Sequence, residues 1–198
     1  MKLSLIDIQK IVSISQGNLK LAFIPSVSQP RVVSCNKHAP CVVSGCYSAK
    51  EKRFPAVIQA RMKNYKSYKK NPDLFFYAIS TWIKNVVPSY FRWHVTGDIV
   101  DKRYFEFMVN LALKNDKTNF LAYTKKYELL PETVPKNLSI FVSAWPNFKF
   151  KNPYKYPVAW MQDGSETRIP GNVYVCQSTC FECKFCWHPD RDVVFEKH

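Results

Sequence analysis

Short apolar runs alternate with longer amphipathic stretches, and this alternation constrains the fold more than any other feature of the chain. Apolar side chains recur at helical spacing in residues 52–71, 74–87 and 101–114, with Asp101 placed to cap the third helix. Shorter apolar segments predict strands at residues 19–24, 91–96, 119–123, 138–143 and 172–175. Residues 145–168, which contain several prolines and aromatic residues, are predicted to form an ordered loop.

Strands that alternate with helices usually form a parallel sheet, so the predicted fold class is α/β. A chain of 198 residues is short for a closed eight-stranded barrel, which typically needs about 250. We therefore predict a partial (β/α) barrel, or a small curved and mostly parallel sheet with flanking helices and cysteine-rich metal loops. Residues 1–198 are predicted to form one domain, with an N-terminal cysteine loop at residues 33–47 and a C-terminal cysteine knot at residues 172–198.

The seven cysteines fall into two groups near the two ends of the chain. The C-terminal group consists of Cys176, Cys180, Cys183 and Cys186. Spacers of two or three residues let neighbouring thiolates reach one compact centre, and the spacing resembles a bacterial ferredoxin pattern read in reverse. Zinc sites more often use two separated cysteine pairs, so the spacing favours an iron–sulfur cluster (4Fe-4S) over zinc.

The N-terminal group consists of Cys35, Cys41 and Cys46, followed by the aromatic residue Tyr47. Three thiolates can hold a 4Fe-4S cluster and leave one iron open for a substrate or cofactor. His38 lies within the same loop and would complete a Cys3His set, which suits tetrahedral zinc equally well. The open three-cysteine cluster is the first choice for this group, and zinc is the alternative.

Polar residues follow several predicted strands. The carboxyl ends of parallel strands meet at one edge of a sheet, so these residues are expected to share one site with the N-terminal cysteine loop. The predicted catalytic residues are Asp98, His94 and Lys125. The predicted cofactor-binding residues are Gly97, Asp98, Ser143 and Tyr47. The alternatives are a turn whose aspartate supports the following helix and an ordinary exposed lysine at a strand end.

Strand periodicity places Arg92 and His94 on the same face of the predicted strand at residues 91–96. On an inner face, two such polar side chains would be paired or catalytic, since unpaired polar groups are costly to bury. On an outer face they would carry no functional meaning.

The chain is strongly basic, with a formal net charge of +14 from 29 Lys and Arg against 15 Asp and Glu. Such an excess favours polyanions, so nucleic acid or a host protein is the expected partner, with solubility alone as the alternative. No apolar run reaches the roughly 20 residues that a membrane span requires, so no membrane partner is expected. Clustered cysteines and the lack of a secretion signal favour a reducing cytoplasm.

Several segments together resemble the bacteriophage family named after gene product 88. These are residues 15–21, 46–50, 91–98, 123–126 and 137–138, with Ser143 and the closing cysteine run that ends at Trp187. The resemblance implies a phage protein that acts in the cytoplasm of a bacterial host, and it implies no particular reaction.

A second, weaker resemblance is to radical S-adenosylmethionine enzymes. Those enzymes hold an open-site four-iron cluster with three cysteines after a first strand, and bind the methionyl group at a glycine-rich acidic turn. Cys35, Cys41 and Cys46 with Gly97–Asp98 occupy comparable positions. The spacers differ, however, being five and four residues rather than three and two, and the turn has one glycine and an aspartate.

Two hypotheses follow. The first is a phage iron–sulfur protein, radical-SAM-like in its N-terminal site, that binds one or two clusters and acts on an unknown substrate such as a nucleic acid, with S-adenosylmethionine as a cofactor. The alternative is a non-enzymatic zinc protein that binds nucleic acid or a host protein as a counter-defence factor.

Overall fold

The computed structural model describes residues 3–44, 46–145, 148–162, 169–177 and 179–195. The strands are β1 Ser26–Val27, β2 Tyr90–Trp93, β3 Asn119–Thr124, β4 Leu138–Ala144, β5 Val158–Met161, β6 Tyr174–Val175 and β7 Val193–Phe195. The α-helices are α1 Leu5–Ile11, α2 Pro40–Ser44, α3 Pro55–Lys70, α4 Pro72–Val86, α5 Lys102–Leu113 and α6 Cys180–Cys183. Short 3₁₀ helices span Tyr47–Arg53, Tyr127–Leu129 and Phe185–Trp187.

The strands form one sheet in the order β1-β2-β3-β4-β5-β7-β6, and every neighbouring pair is parallel. From β1 to β5 the strands follow the sheet in the same order as the sequence. Right-handed crossovers that always move in one direction across a sheet place their helices on one face. The predicted α/β class with a parallel sheet and flanking helices is confirmed, and the sheet is open rather than closed into a barrel.

The helix-covered face carries the larger core. The three predicted helices are confirmed as α3, α4 and α5, and Asp101 caps α5 by accepting a hydrogen bond from the Tyr104 N–H at 3.0 Å. Helix α4 begins at Pro72, and the Asn71 side chain caps it. Its buried side chains are Phe75, Phe76, Ala78, Ile79, Trp82 and Ile83. They pack in one cluster with Phe91, Trp93, Phe120 and Ile140 of the sheet.

The opposite face of the sheet is covered by the C-terminal cysteine knot. Leu121, Phe141, Ala159 and Val193 form a second cluster there with Trp187. The Trp187 indole N–H donates to the Phe91 carbonyl at 3.2 Å, and the Trp187 carbonyl accepts from the Ser139 hydroxyl at 2.8 Å. The C-terminal end of the chain is therefore fastened across β2 and β4.

The prediction of a first strand at residues 19–24 is wrong, because this segment forms turns. The Asn18 side chain accepts hydrogen bonds from the N–H groups of Lys20 and Leu21, each at 2.9 Å. Gly17 and Ala22 both have positive φ, of 129° and 49°. Local capping of backbone donors by Asn18 thus overrides the alternating pattern, and the first strand is β1.

Two further corrections concern the C-terminal half. Strand β5 lies inside the segment 145–168, which was expected to be a loop, because four apolar residues are too short a run to stand out among prolines and aromatics. The predicted strand at residues 172–175 is confirmed as β6, but it is followed by β7, which inserts between β5 and β6.

Candidate cysteine-lined cavity

All seven cysteines line one cavity of about 720 Å³. The cavity lies at the carboxyl edge of the sheet, where residues directly after β2, β3 and β4 reach it. The predicted site residues Asp98, His94, Lys125, Gly97 and Ser143 line the same cavity. The sequence therefore identified residues that the fold brings together. The side chain of Tyr47 lies outside the part that the structure describes, so its predicted role stays a prediction.

The N-terminal cysteine loop is fastened at both of its ends. Arg31 precedes the first cysteine, and its guanidinium forms an ion pair with the Glu51 carboxylate at 3.1 Å. Glu51 follows the last cysteine and also forms an ion pair with Arg61 of α3. The Glu51 side chain is 9% exposed, so this pair of contacts is screened little by water. Glu51 therefore closes the base of the loop and anchors it to a helix.

A second set of contacts fixes the loop against the strand ends. The Ser34 hydroxyl accepts a hydrogen bond from the Asp98 N–H at 3.0 Å and donates to the Pro30 carbonyl at 2.8 Å. The Asn36 amide donates to the Lys125 carbonyl at 3.0 Å. The position of Cys35, between these two residues, is therefore set by the ends of β2 and β3.

Asp98 braces these two strand ends. Its Oδ1 accepts from the Ile99 N–H at 2.8 Å and the Thr124 hydroxyl at 2.6 Å, and its Oδ2 accepts from the Lys125 N–H at 2.9 Å. Burial raises the pKa of Asp98, while the hydrogen bonds from Thr124 and Lys125 oppose that rise. The carboxylate oxygens are thus engaged within the protein, and a catalytic or ligand-binding role for Asp98 stays a prediction.

Gly97 permits the close approach that the brace requires. Its φ is 80°, and a Cβ at this position would lie 2.6 Å from both the Gln29 carbonyl oxygen and the Ser34 hydroxyl oxygen. Glycine adopts this φ at low cost, and it has no side chain that would push the loop away. The structure gives Gly97 a packing role, and its predicted contact with a cofactor stays untested.

His94 departs from the expected strand geometry. Strand β2 ends at Trp93, and His94 has a φ of 54°, which turns its ring towards α5. Its Nε2 lies 3.1 Å from the Tyr104 hydroxyl, whereas the Arg92 guanidinium lies over the Tyr123 ring. The expectation that His94 and Arg92 share one face is therefore wrong. Burial lowers the pKa of His94 to about 3, helped by the nearby charges of Arg92 and Lys126.

The C-terminal cysteines occupy the other end of the cavity. Cys176 follows β6, Cys180 and Cys183 begin and end the single-turn helix α6, and Cys186 lies in the following 3₁₀ helix. The turn at residues 17–24 closes over them. The Cys180 N–H donates to the Lys20 carbonyl at 2.9 Å, and the Lys20 ammonium donates to the Cys176 sulfur at 3.4 Å. The misassigned N-terminal segment is thus part of this site.

Two tyrosines contact further sulfurs of this group. The Tyr174 hydroxyl lies 3.0 Å from the Cys183 sulfur. The buried Tyr123 hydroxyl is hydrogen bonded to Cys186; burial raises the pKa of that thiol, and this bond opposes the rise. Including Lys20, three of the four C-terminal sulfurs have a hydrogen-bonding neighbour. Sequence reasoning gave none of these three residues a role, although the family resemblance over residues 15–21 and 123–126 includes Lys20 and Tyr123.

Four of the seven thiols are buried enough to resist ionisation. Burial raises the pKa of Cys35 to about 11, and Asp98 adds to the rise. Burial likewise raises the pKa of Cys186 to about 11, and it raises the pKa of Cys41 and Cys180. Neighbouring cysteines raise one another's pKa within each group, because two close thiolates repel. A bound cation would remove that penalty.

Among the described residues, no three His, Cys, Asp or Glu side chains are arranged to hold a single metal ion. A tetrahedral zinc ion needs its sulfurs about 2.3 Å from one point. The cysteines share a cavity without meeting at such a point. A metal centre is accordingly a proposal for this chain and not an observed feature.

The family comparison agrees with the sequence resemblance. The family model described as Gene product 88 matches residues 8–150, well over half of the chain. The chain belongs to the Gene product 88 family. The match includes the N-terminal cysteine loop and the strand-end residues, and it ends before the C-terminal cysteine knot.

This bacteriophage family is the one indicated by the sequence. No curated protein and no solved structure matches the chain. The weaker likeness to radical S-adenosylmethionine enzymes is not supported by any match. In the described part of the chain, no helix is both long and apolar enough to cross a bilayer.

Proposed function

We propose that this Gene product 88 family member is an iron–sulfur protein whose two cysteine groups each hold a cluster in one cavity. The observation that supports this most is that thiols from both ends of the chain, separated by a cysteine-free stretch from residue 47 to residue 175, line the same space. When bound, such clusters supply one-electron transfer at the edge of a pocket that also admits a small molecule.

The C-terminal group has the surroundings that sulfur ligands of a cluster need. Metal-bound cysteines are thiolates, and donors placed around them stabilise that charge. Lys20 and Tyr174 supply such donors to Cys176 and Cys183. Burial raises the pKa of Cys180 and Cys186, and the charge of Arg92 opposes that rise. Four thiolates would complete a four-iron cluster, which suits a centre that transfers electrons.

The N-terminal group supplies three cysteines and therefore leaves one iron position free. We place the reactive centre here, because Lys125, Gly97 and Ser143 line the adjoining part of the cavity. S-adenosylmethionine is the cofactor that the weaker resemblance implies for such an open position. The site of action in this proposal is the cytoplasm of the bacterial host.

Zinc is the alternative metal. Among the described residues no group is arranged to hold a single metal ion, and a cluster is preferred over zinc on the sequence spacing of the C-terminal cysteines. Binding of nucleic acid rests on the net charge of +14 alone, without a specific contact surface that favours it.

Anaerobic purification followed by iron, sulfide and zinc analysis tests the proposal. We expect brown protein with two clusters per chain. Replacement of Cys35, Cys41 and Cys46 by serine should remove about half of the iron, and replacement of the four C-terminal cysteines should remove the other half. Each variant serves as the control for the other. Colourless protein with stoichiometric zinc would contradict the proposal.

A further inference from the structure

The charged side chains that line the cavity are nearly all cationic. They are Lys20, Lys50, Arg92, Lys125 and Lys184, against the single carboxylate of Asp98. The Asp98 carboxylate already accepts hydrogen bonds from the N–H groups of Ile99 and Lys125 and from the Thr124 hydroxyl. None of the five cations forms an ion pair with a described carboxylate. Cations that face a cavity without a carboxylate partner favour an anionic ligand.

Two contacts hold the Arg92 guanidinium in place. Its Nε–H donates to the Trp93 carbonyl at 3.0 Å, and its guanidinium carbon lies 4.1 Å from the centre of the Tyr123 ring. The Tyr123 ring itself stacks on Phe141, with ring centres 5.1 Å apart. The plane of the guanidinium is therefore fixed, and its two terminal nitrogens have no hydrogen-bond acceptor among the described residues.

We propose that the cavity binds an anionic small molecule, through a carboxylate or phosphate group held by Arg92. A fixed guanidinium presents two parallel N–H donors that match the two oxygens of either group. Lys125 lines the same cavity and adds to its positive charge; its N–H donates to Asp98, and its ammonium lies 5.8 Å from the Trp145 ring centre. This inference rests on the proposed function, because it names the class of ligand that shares the cavity with the clusters. Binding of the anion itself does not require iron.

Compensation of thiolate charge is the competing role for Arg92, since its charge acts on Cys180 and Cys186. Lysine supplies the same charge but not the planar pair of donors. The variant Arg92→Lys therefore separates the two roles: charge compensation survives it, and two-point recognition of an anion does not.

The test is isothermal titration calorimetry at low salt on anaerobically purified and on metal-free protein. Inorganic pyrophosphate and succinate are the probes, so that the two arms distinguish phosphate from carboxylate. We expect saturable binding of at least one probe and a loss of tenfold or more in affinity in Arg92→Lys. The matched control is Lys66→Gln, which removes one exposed charge from α3 and should bind like the unmodified protein.

Absence of saturable binding by both probes, or an Arg92→Lys variant that binds like the unmodified protein, would overturn the inference. Iron content is measured on the same samples. Iron-loaded protein that binds neither probe refutes this inference alone, whereas probe binding through Arg92 in protein that never takes up iron refutes only the iron–sulfur proposal.

Discussion

The two cysteine groups line one cavity but are held in different ways. In the N-terminal cysteine loop most contacts fix the backbone: Glu51 closes its base, and Asp98 with Ser34 ties it to the strand ends. One sulfur of this group also has a hydrogen-bonding neighbour, since the Ser48 hydroxyl lies 3.1 Å from the Cys46 sulfur. In the C-terminal cysteine knot the contacts reach the sulfurs themselves, from Lys20 and Tyr174. The first arrangement sets where the thiols lie, and the second sets how readily they carry charge.

This difference has a functional meaning. A centre whose sulfurs receive hydrogen bonds has its reduction potential set by the protein. A centre with fewer such contacts leaves more of that influence to whatever binds beside it. Within the proposed function, the comparison therefore favours electron transfer at the C-terminal group and cofactor binding at the open iron position of the N-terminal group.

The largest expected effect is on the anchoring of the N-terminal loop. Gly97→Ala places a Cβ 2.6 Å from the Gln29 carbonyl oxygen at a φ of 80°. We expect it to lower the free energy of unfolding by about 3 kcal/mol, from backbone strain and steric overlap. Urea unfolding followed by tryptophan fluorescence measures this.

Gly171→Ala is the matched control, because no atom lies within 4 Å of the added Cβ. It should change stability by less than about 0.5 kcal/mol. If both variants unfold at the same urea concentration, close packing at Gly97 does not anchor the loop.

The second prediction concerns acid. Burial lowers the folded-state pKa of His94 from 6.5 to about 3. Below about pH 6.5 the unfolded chain therefore binds a proton at this histidine, whereas the folded chain does not. The contribution of the buried neutral ring to the free energy of unfolding is therefore fully present above about pH 6.5. It is lost as the pH falls towards 3, and the loss is about 2 kcal/mol at pH 5. His94→Asn tolerates the positive φ and should flatten this dependence.

The measurement is the urea midpoint between pH 7 and pH 5. His188→Asn, which replaces an exposed histidine, is the control and should keep the slope of the unmodified protein. An equally steep slope in His94→Asn would show that another group governs acid sensitivity.

The third prediction tests the hydrogen bonds by which Asp98 links the ends of β2 and β3. Thr124→Val keeps the side-chain shape and removes the hydroxyl that donates to Asp98 at 2.6 Å. Loss of a donor to a buried carboxylate should cost about 1.5 kcal/mol. Thr81→Val removes a hydroxyl on the exposed side of α4 and should be close to neutral. Equal costs for the two variants would mean that Asp98 does not depend on Thr124.

The sequence predicted the parallel sheet, three helices and the gathering of the N-terminal cysteine loop with strand-end residues at one edge, because these follow from local apolar patterns. It left open whether the C-terminal cysteines share that site. It could not place the turn at residues 17–24, since Asn18 caps backbone donors that an alternating pattern assigns to a strand. Nor could it find Tyr123 and Tyr174, because hydrogen bonds between residues distant in sequence leave no local pattern. His94 was misplaced for a similar reason: its positive φ depends on contacts with Tyr104 of α5.

The smallest expected effect is a shift in reduction potential, and it tests the difference between the two cysteine groups most directly. Tyr174→Phe removes the hydroxyl 3.0 Å from the Cys183 sulfur and leaves the ring stacked on Phe185, with ring centres 4.0 Å apart. Hydrogen bonds to cluster sulfurs stabilise the more negative, reduced form, so their loss lowers the reduction potential. Redox titration of the iron-loaded protein should show the C-terminal centre shifting to a lower potential while the N-terminal centre stays in place.

Tyr127→Phe is the matched control, since that hydroxyl donates to the Ser143 carbonyl at 2.7 Å and not to a sulfur. It should leave the potential of the C-terminal centre unchanged. A shift of both centres in Tyr174→Phe would mean that the two groups are electrostatically one site, and the contrast between a backbone-held and a sulfur-tuned group would then have to be abandoned.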